Sequence, residues 1–233
     1  MEKQNKIIGL IGGMGPYASA YFYQLLLKKS NGLYGAKNND DFPEILIDSV
    51  PVPDFISDVN KLDQAKNMLI SRVNKMNNYG VGSIAMVCNT GHILYVDLSK
   101  ISKTRFYSMI DLVTENASSL NYKRVGVLAT PTTIKFDLYG KALSKRGIKV
   151  FYPTNEAQEL HEKVIREILS GKMNTNDIKK LEITTRDFVQ KNTLDGVILG
   201  CTELPLVFPK DHFKNVIDCM DVLADKLLEK YYN

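Results

Sequence analysis

Hydrophobic and polar positions alternate along the chain in two recurring patterns. Short, mainly apolar runs of five to eight residues are typical of strands buried in a parallel sheet. These runs lie at 6–12, 44–50, 83–87, 104–108, 123–130, 148–152, 196–200 and 213–218. Apolar residues spaced three or four positions apart predict helices at 17–29, 62–76, 92–100, from 111, and at 134–146, 155–170 and 176–191. The alternation of strands and helices predicts an α/β fold.

The second half of the chain repeats the order of the first. Gly126 takes the place of Gly9 in a matching first strand, and Cys201 takes the place of Cys88 at the end of a later strand. A third match places 213–218 on 106–111. Three matches in the same order predict two related α/β lobes.

Two of the three cysteines end corresponding strands of this repeat. In open α/β sheets, ligands bind beyond the carboxyl ends of the strands, which is where Cys88 and Cys201 lie. If the lobes face each other with pseudo-twofold symmetry, the two thiols meet across one cleft. Cys219 takes the place of the apolar Leu112 in the third match, so we predict that it is a core residue.

The turn after the first strand satisfies a dinucleotide-binding pattern only in part. Gly13, Gly15 and Ala18 fit G-x-G-x-x-A. The pattern also needs an acidic residue at the tip of the second strand, whereas Asp48 lies within that strand. We therefore predict no nicotinamide or flavin site. The glycines either let backbone N–H groups approach a small anion or make a tight turn.

Composition excludes several partners. The chain has 233 residues, of which 44% are hydrophobic and 24% charged, and no apolar run is long enough to span a membrane. The net charge of +4 comes from dispersed lysines, so we expect no nucleic-acid partner. The cysteines and histidines lack metal-site spacing, which predicts no metal centre. An odd number of cysteines and a start without a signal-peptide pattern predict free thiols and a cytoplasmic location.

Two opposed thiols without metal-site spacing suit three kinds of chemistry. Redox cysteines usually lie close in sequence, as in C-x-x-C, and these two do not. A nucleophile needs a positioned base; His92 follows Cys88 by four residues, but Pro205 stands at its position in the second lobe. An acid/base pair fits the inversion of a carbon centre, because one thiolate removes a proton while the opposite thiol returns one.

At these residues the chain resembles the cofactor-independent aspartate/glutamate racemase superfamily, and within it the aspartate racemase branch. The matching motifs are Gly12-Gly-Met-Gly-Pro16, Cys88-Asn-Thr-Gly-His92, Leu128-Ala-Thr-Pro-Thr-Thr133 and Gly200-Cys-Thr-Glu203. The resemblance implies two lobes with four-stranded parallel sheets flanked by helices and an active site in the cleft between them. It divides the chain into residues 1–109 with 214–233, and residues 110–213. It also implies a homodimer that uses neither pyridoxal phosphate nor metal.

The resemblance further implies roles for individual residues. Cys88 and Cys201 become the catalytic pair that inverts Cα of a small amino acid. The residues expected to bind the substrate are Met14, Asn89, Thr90, Thr130, Thr133 and Thr202.

Two positions depart from the aspartate-specific pattern. Phe55 follows Pro53-Asp54 where aspartate-specific members carry an arginine, and Glu159 stands about where they carry a lysine. We therefore expect these two residues to set specificity toward a neutral side chain, or a basic one if Glu159 points into the cleft rather than into solvent. Decarboxylating members keep one cysteine, so the retained pair disfavours that reaction. A catalytically silent ligand-binding or regulatory member of the same fold is the alternative function.

Overall fold

The computed structural model describes residues 6–55 and 59–233, and the chain forms two compact units. Lobe one comprises Met1–Met109 with Leu223–Asn233, and lobe two comprises Ile110–Val222. Among the described residues, no helix is both long enough and apolar enough to cross a membrane.

Each lobe contains a four-stranded parallel sheet, as the family resemblance implies. The strands are β1 (Ile8–Gly12), β2 (Ile45–Ser49), β3 (Ser83–Met86), β4 (Arg105–Tyr107), β5 (Arg124–Ala129), β6 (Lys149–Phe151), β7 (Gly196–Gly200) and β8 (Val216–Asp218). Their order is β2-β1-β3-β4 in lobe one and β6-β5-β7-β8 in lobe two. The central strands β1, β3 and β7 are buried along their whole length, which explains their mainly apolar sequences.

Helices connect the strands and cover the sheets. They are α1 (Pro16–Tyr34), α2 (Leu62–Tyr79), α3 (Tyr95–Ile101), α4 (Met109–Ser119), α5 (Pro131–Lys135), α6 (Leu138–Ser144), α7 (Asn155–Leu169), α8 (Thr175–Lys191) and α9 (Cys219–Tyr232). Short 3₁₀ helices lie at Asn39–Asp41, Val59–Lys61, Thr90–Leu94, Leu204–Leu206 and Lys210–His212. The apolar stripe of α2 belongs to the core of lobe one, together with residues of β1 and β3.

The single helix predicted at 134–146 is wrong. The chain starts α5 earlier, because Thr130 caps it and Pro131 occupies its first turn, where a missing N–H has no cost. Asp137 then adopts a left-handed conformation, with φ of 52°, and separates α5 from α6. The Asp137 carboxylate accepts a hydrogen bond from the Tyr152 hydroxyl at 3.2 Å.

The strand register tests the three sequence matches. Ile8 pairs with Ser83 and Val125 pairs with Gly196, so the first two matches are confirmed. The third is wrong by three residues, because β8 aligns with β4 when Val216, not Phe213, takes the place of Phe106.

Phe213 lies before β8 and packs on the Phe208 ring, with the centroids 4.9 Å apart. The counterpart of Cys219 is therefore Met109, and both begin the helix that follows their strand. Cys219 is fully buried, as predicted for a core residue.

Candidate active site

The glycines after β1 form a tight turn in which the Gly13 N–H is bound by a side chain of the protein itself. Gly13 has φ of +89°, and a Cβ there would collide with the backbone of Val50. The Gly13 N–H donates to the Ser19 hydroxyl at 2.9 Å, and that hydroxyl donates to the Gly15 carbonyl at 2.9 Å. Since the Gly13 N–H is occupied by Ser19, the geometry favours the tight turn over an anion site at this amide.

Cys88 follows β3 and begins a buried polar turn. Its side chain is 2% exposed, and Sγ accepts a hydrogen bond from the Gly91 N–H at 3.3 Å. An N–H donor directed at sulfur stabilises a thiolate more than a thiol. Asn89 and Thr90 are each 2% exposed in the same turn. The turn therefore buries two polar side chains beside the thiol.

His92 fixes the backbone of this turn. Its Nε2 accepts the Met109 N–H at 2.9 Å, and its Nδ1 lies 2.7 Å from the Cys88 carbonyl oxygen. A backbone N–H can only donate, so Nε2 carries no proton and Nδ1–H is the donor to the carbonyl. Both ring nitrogens thus bind backbone groups, and the suggestion that His92 acts as a base for Cys88 is disfavoured.

Cys201 follows β7 in a different electrostatic setting. Its thiol donates to Glu203 Oε2 at 3.0 Å, and the Thr202 hydroxyl donates to the same oxygen at 3.1 Å. Cys201, Thr202 and Glu203 are each less than 5% exposed. A buried carboxylate beside the sulfur favours the protonated thiol, because the thiolate would place a second negative charge next to it. Glu203 stands only two residues after Cys201, but no pattern in the sequence assigns it a role.

Thr130 and Thr133 form the cap at the end of β5. Thr130 Oγ1 accepts the Thr133 N–H at 3.2 Å and donates to Thr133 Oγ1 at 3.0 Å. Ala129 lies opposite Gly200 in the sheet, so Thr130 and Cys201 follow neighbouring strands at one edge. Lobe two thus gathers hydroxyl groups and a thiol at the carboxyl ends of its central strands.

The two proposed specificity residues occupy contrasting environments. Phe55 is 2% exposed and belongs to an apolar cluster that includes Met14, Val50 and Cys88. Glu159 is exposed on α7. The cluster around Cys88 is therefore apolar at the position where aspartate-specific relatives are expected to carry a cation.

The face of α7 next to Glu159 carries two buried polar groups that sequence reasoning missed. Gln158 Nε2 donates to the Ala129 carbonyl at 2.8 Å, while its Oε1 has no hydrogen-bond partner within the described part of the chain. Three residues later, His161 is 1% exposed, and burial lowers the pKa of its imidazole to about 4. Neither ring nitrogen of His161 finds a partner among the described residues. Apolar helical periodicity at Val164 and Ile165 gives no sign that a histidine shares this buried face.

The structure is thus an α/β fold of two lobes with one four-stranded parallel sheet each, and a buried, hydrogen-bonded cysteine follows a central strand of each sheet. Residues 11–227 match the model of one family, described as Asp/Glu/Hydantoin racemase. The chain therefore belongs to the Asp/Glu/hydantoin racemase family, and as a racemase it is an isomerase.

Individual relatives agree with this assignment. The chain is 27% identical to the broad specificity amino-acid racemase RacX of Bacillus subtilis strain 168, over 94% of this chain and 93% of that protein. The crystal structure of an aspartate racemase homologue from Pyrococcus horikoshii OT3 matches with a TM-score of 0.83 and 27% identity, covering 98% of this chain and 100% of that one. Picrophilus torridus aspartate racemase matches with a TM-score of 0.81 and 26% identity, covering 98% and 95%.

Within each lobe the residues singled out from the sequence lie mostly together. In lobe one, Met14, Phe55 and Cys88 share one cluster, and Asn89 and Thr90 continue from Cys88. In lobe two, the predicted residues at the ends of β5 and β7 are Thr130, Thr133, Cys201 and Thr202. Glu159 stands apart because it is exposed. The catalytic and binding roles of all these residues stay predictions.

Proposed function

We propose that the protein is a cofactor-independent amino-acid racemase in which Cys88 and Cys201 exchange protons with opposite faces of the substrate Cα. One observation carries the proposal: equivalent strands of the two lobes end in buried cysteines whose sulfurs are both hydrogen-bonded. Membership of a racemase family supports this chemistry.

In one direction, the Cys88 thiolate takes the Cα proton and the Cys201 thiol gives its proton to the other face. The Cα–H and Cys201 S–H bonds break, a Cys88 S–H bond and a new Cα–H bond form, and no oxidant is needed. The carbanion beside the carboxylate requires hydrogen-bond donors at the carboxylate oxygens. We assign this role, with binding of the amino group, to Asn89, Thr90, Thr130, Thr133 and Thr202. Met14, whose side chain has no hydrogen-bond donor, is proposed as an apolar substrate contact.

We further propose that the preferred substrate has an uncharged side chain. Phe55 lies with Met14 in the apolar cluster of Cys88, and a carboxylate placed against such a surface would lose its hydration without gaining a partner. A charge-assisted contact is worth about 1.5–3 kcal/mol, or roughly tenfold to 100-fold in binding. The exposed position of Glu159 supports a solvated helix residue more than a contact to a basic substrate.

We also infer a cytoplasmic homodimer. The three cysteines are free thiols, which persist in a reducing compartment. The dimer rests on the family resemblance, and sedimentation equilibrium of the purified protein tests it.

The decisive experiment follows Cα chemistry in deuterated water. The protein is incubated with each L- and D-amino acid, while deuterium at Cα is measured by NMR and inversion by chiral chromatography. We expect both signals with several neutral amino acids and weaker signals with aspartate. Cys88→Ser and Cys201→Ser should each abolish inversion, whereas Cys219→Ala, which changes the buried third cysteine, should retain it.

Either thiol variant can still exchange the enantiomer whose Cα–H faces the remaining cysteine. Exchange without inversion in one variant, and with the opposite enantiomer in the other, would assign each thiol to a face. If folded wild-type protein exchanges no amino acid, the racemase proposal is wrong and a silent ligand-binding member becomes the better account.

A further inference from the structure

Glu203 holds a buried carboxylate against the Cys201 sulfur. Its Oε2 receives hydrogen bonds from both the Cys201 thiol and the Thr202 hydroxyl, at 3.0 and 3.1 Å. Glu203 is 4% exposed and precedes the 3₁₀ turn Leu204–Leu206, yet among the described residues its side chain makes no capping hydrogen bond to that turn. The Glu203 carboxylate therefore binds the thiol and the neighbouring hydroxyl, and it does not cap the turn that follows.

The corresponding position in lobe one has no carboxylate. The confirmed strand register places Thr90 opposite Glu203 in the repeat, and the Cys88 sulfur accepts a backbone N–H instead. A donor at Cys88 and an acceptor at Cys201 act in opposite directions on the two thiols. The repeat therefore supplies similar backbones but different proton environments.

We propose that Glu203 is a catalytic residue that takes the proton of the Cys201 thiol, so that Cys201 becomes the thiolate in the direction in which it removes the Cα proton. The S–H bond breaks, an O–H bond forms at Oε2, and the electron pair stays on sulfur, so charge moves from the carboxylate to the sulfur. The other direction starts with this proton on Glu203 Oε2; after the Cys201 thiol has protonated Cα, the O–H bond breaks and a new Cys201 S–H bond forms, which restores the carboxylate and the thiol. The catalytic part of this inference rests on the proposed racemase function.

The test measures the proton contact separately from racemisation. Purified full-length protein is treated with iodoacetamide at a series of pH values, and mass spectrometry of peptides gives the alkylation rate of each cysteine. In the wild-type protein we expect Cys88 to become reactive at a lower pH than Cys201. In Glu203→Gln, the pH midpoint for Cys201 should fall by about one unit or more, because the neighbouring negative charge is gone.

Two controls make the result specific. The Cys88 midpoint in Glu203→Gln should move by less than half as much as that of Cys201. Glu182→Gln removes the same charge from an ion pair with Arg186 in lobe two, and it should leave the Cys201 midpoint unchanged. A Cys201 midpoint that stays within about 0.2 units in folded Glu203→Gln would overturn the inference, and so would equal reactivity of Cys88 and Cys201 in the wild-type protein.

Steady-state kinetics test whether the contact between Glu203 and Cys201 contributes to catalysis. We expect Glu203→Gln to reduce kcat for inversion at least tenfold, and Glu203→Asp to recover part of the loss because it keeps a proton acceptor near the sulfur. Unchanged kcat in Glu203→Gln contradicts the catalytic role even if the midpoint shifts. If no amino acid is racemised, the alkylation result still shows whether Glu203 affects the protonation of Cys201. If the protein racemises amino acids but the Cys201 midpoint does not shift in Glu203→Gln, the role proposed for Glu203 is wrong and the proposed racemase function is not affected.

Discussion

Replacement of His161 with leucine should stabilise the fold, and the gain should grow as the pH falls. The imidazole is 1% exposed, among residues of α7 that pack into the lobe-two core, such as Val164 and Ile165. Burial favours the neutral ring, and it lowers the pKa of His161 to about 4 from an ordinary value near 6.5. Leucine removes both the titrating group and two buried polar atoms.

The sign and size of the effect follow from proton linkage. Between about pH 6.5 and pH 4 the unfolded chain binds a proton at His161 and the folded chain does not. The free energy of unfolding therefore decreases as the pH falls through this window, and the decrease levels off below about pH 4. A difference of about 2.5 pKa units corresponds to about 3 kcal/mol. At pH 7.5 only the buried polar atoms contribute, with about 1–3 kcal/mol in favour of leucine.

Urea unfolding at pH 7.5, 6, 5 and 4.5 measures this difference. The buried carboxylates and other titrating groups are common to both proteins, so their contribution cancels in the difference between wild type and His161→Leu. Thr185→Val is the matched control, because Thr185 is 1% exposed and its hydroxyl has no hydrogen-bond partner in the described structure, yet it does not titrate. We expect the Thr185→Val difference to be constant with pH.

A gap between wild type and His161→Leu that stays constant from pH 7.5 to pH 4.5 would refute the reasoning. It would mean that His161 binds a proton as readily in the folded protein as in the unfolded chain, and therefore that its imidazole is hydrated or paired in solution. A gap that widens equally in Thr185→Val would assign the effect to another group.

Two further predictions concern contacts that fix strand ends. His92→Asn keeps a donor for the Cys88 carbonyl, and His92→Gln keeps an acceptor for the Met109 N–H. Each variant loses the other contact and should lower the free energy of unfolding, measured in urea, by about 1–3 kcal/mol. His92→Gln should lose more racemase activity than His92→Asn, by about tenfold. Lys210→Met removes the 2.6 Å ion pair of Asp218, whose burial raises its pKa. We expect the free energy of unfolding to fall by about 3 kcal/mol at pH 8 and by less at pH 5, where the carboxyl accepts a proton. Comparable losses at both pH values would contradict this prediction.

The strands and the thiol positions could be predicted because their causes are local. A buried central strand favours apolar side chains on both faces, so β3 and β7 stand out as short, mainly apolar runs that end at a polar turn. The tight turn at Gly13 also has a local signature, since its positive φ requires glycine. These features needed no knowledge of distant contacts.

The two predictions that were wrong, the match at 213–218 and the single helix at 134–146, failed because contacts between elements determine the structure there. The aromatic-to-aspartate pattern at 213–218 resembles 106–111, but the register of β8 is set by its pairing with β7, and Phe213 packs on Phe208 instead of entering the strand. The break between α5 and α6 depends on Asp137, whose carboxylate binds Tyr152 from a different segment. Local similarity between two sequence segments does not predict these contacts with distant residues.

The repeat gives the two thiols the same backbone position and leaves their protonation to the side chains around them. Gly91 supplies an N–H at Cys88, whereas Glu203 supplies a carboxylate at Cys201. Two enantiomers have equal free energies in water, so the equilibrium constant of a racemase is one and its kcat/KM values in the two directions must be equal. An unequal thiol pair therefore cannot favour one enantiomer in kcat/KM, and its chemical asymmetry must appear in kcat and KM separately, as a tighter but slower direction and a weaker but faster one.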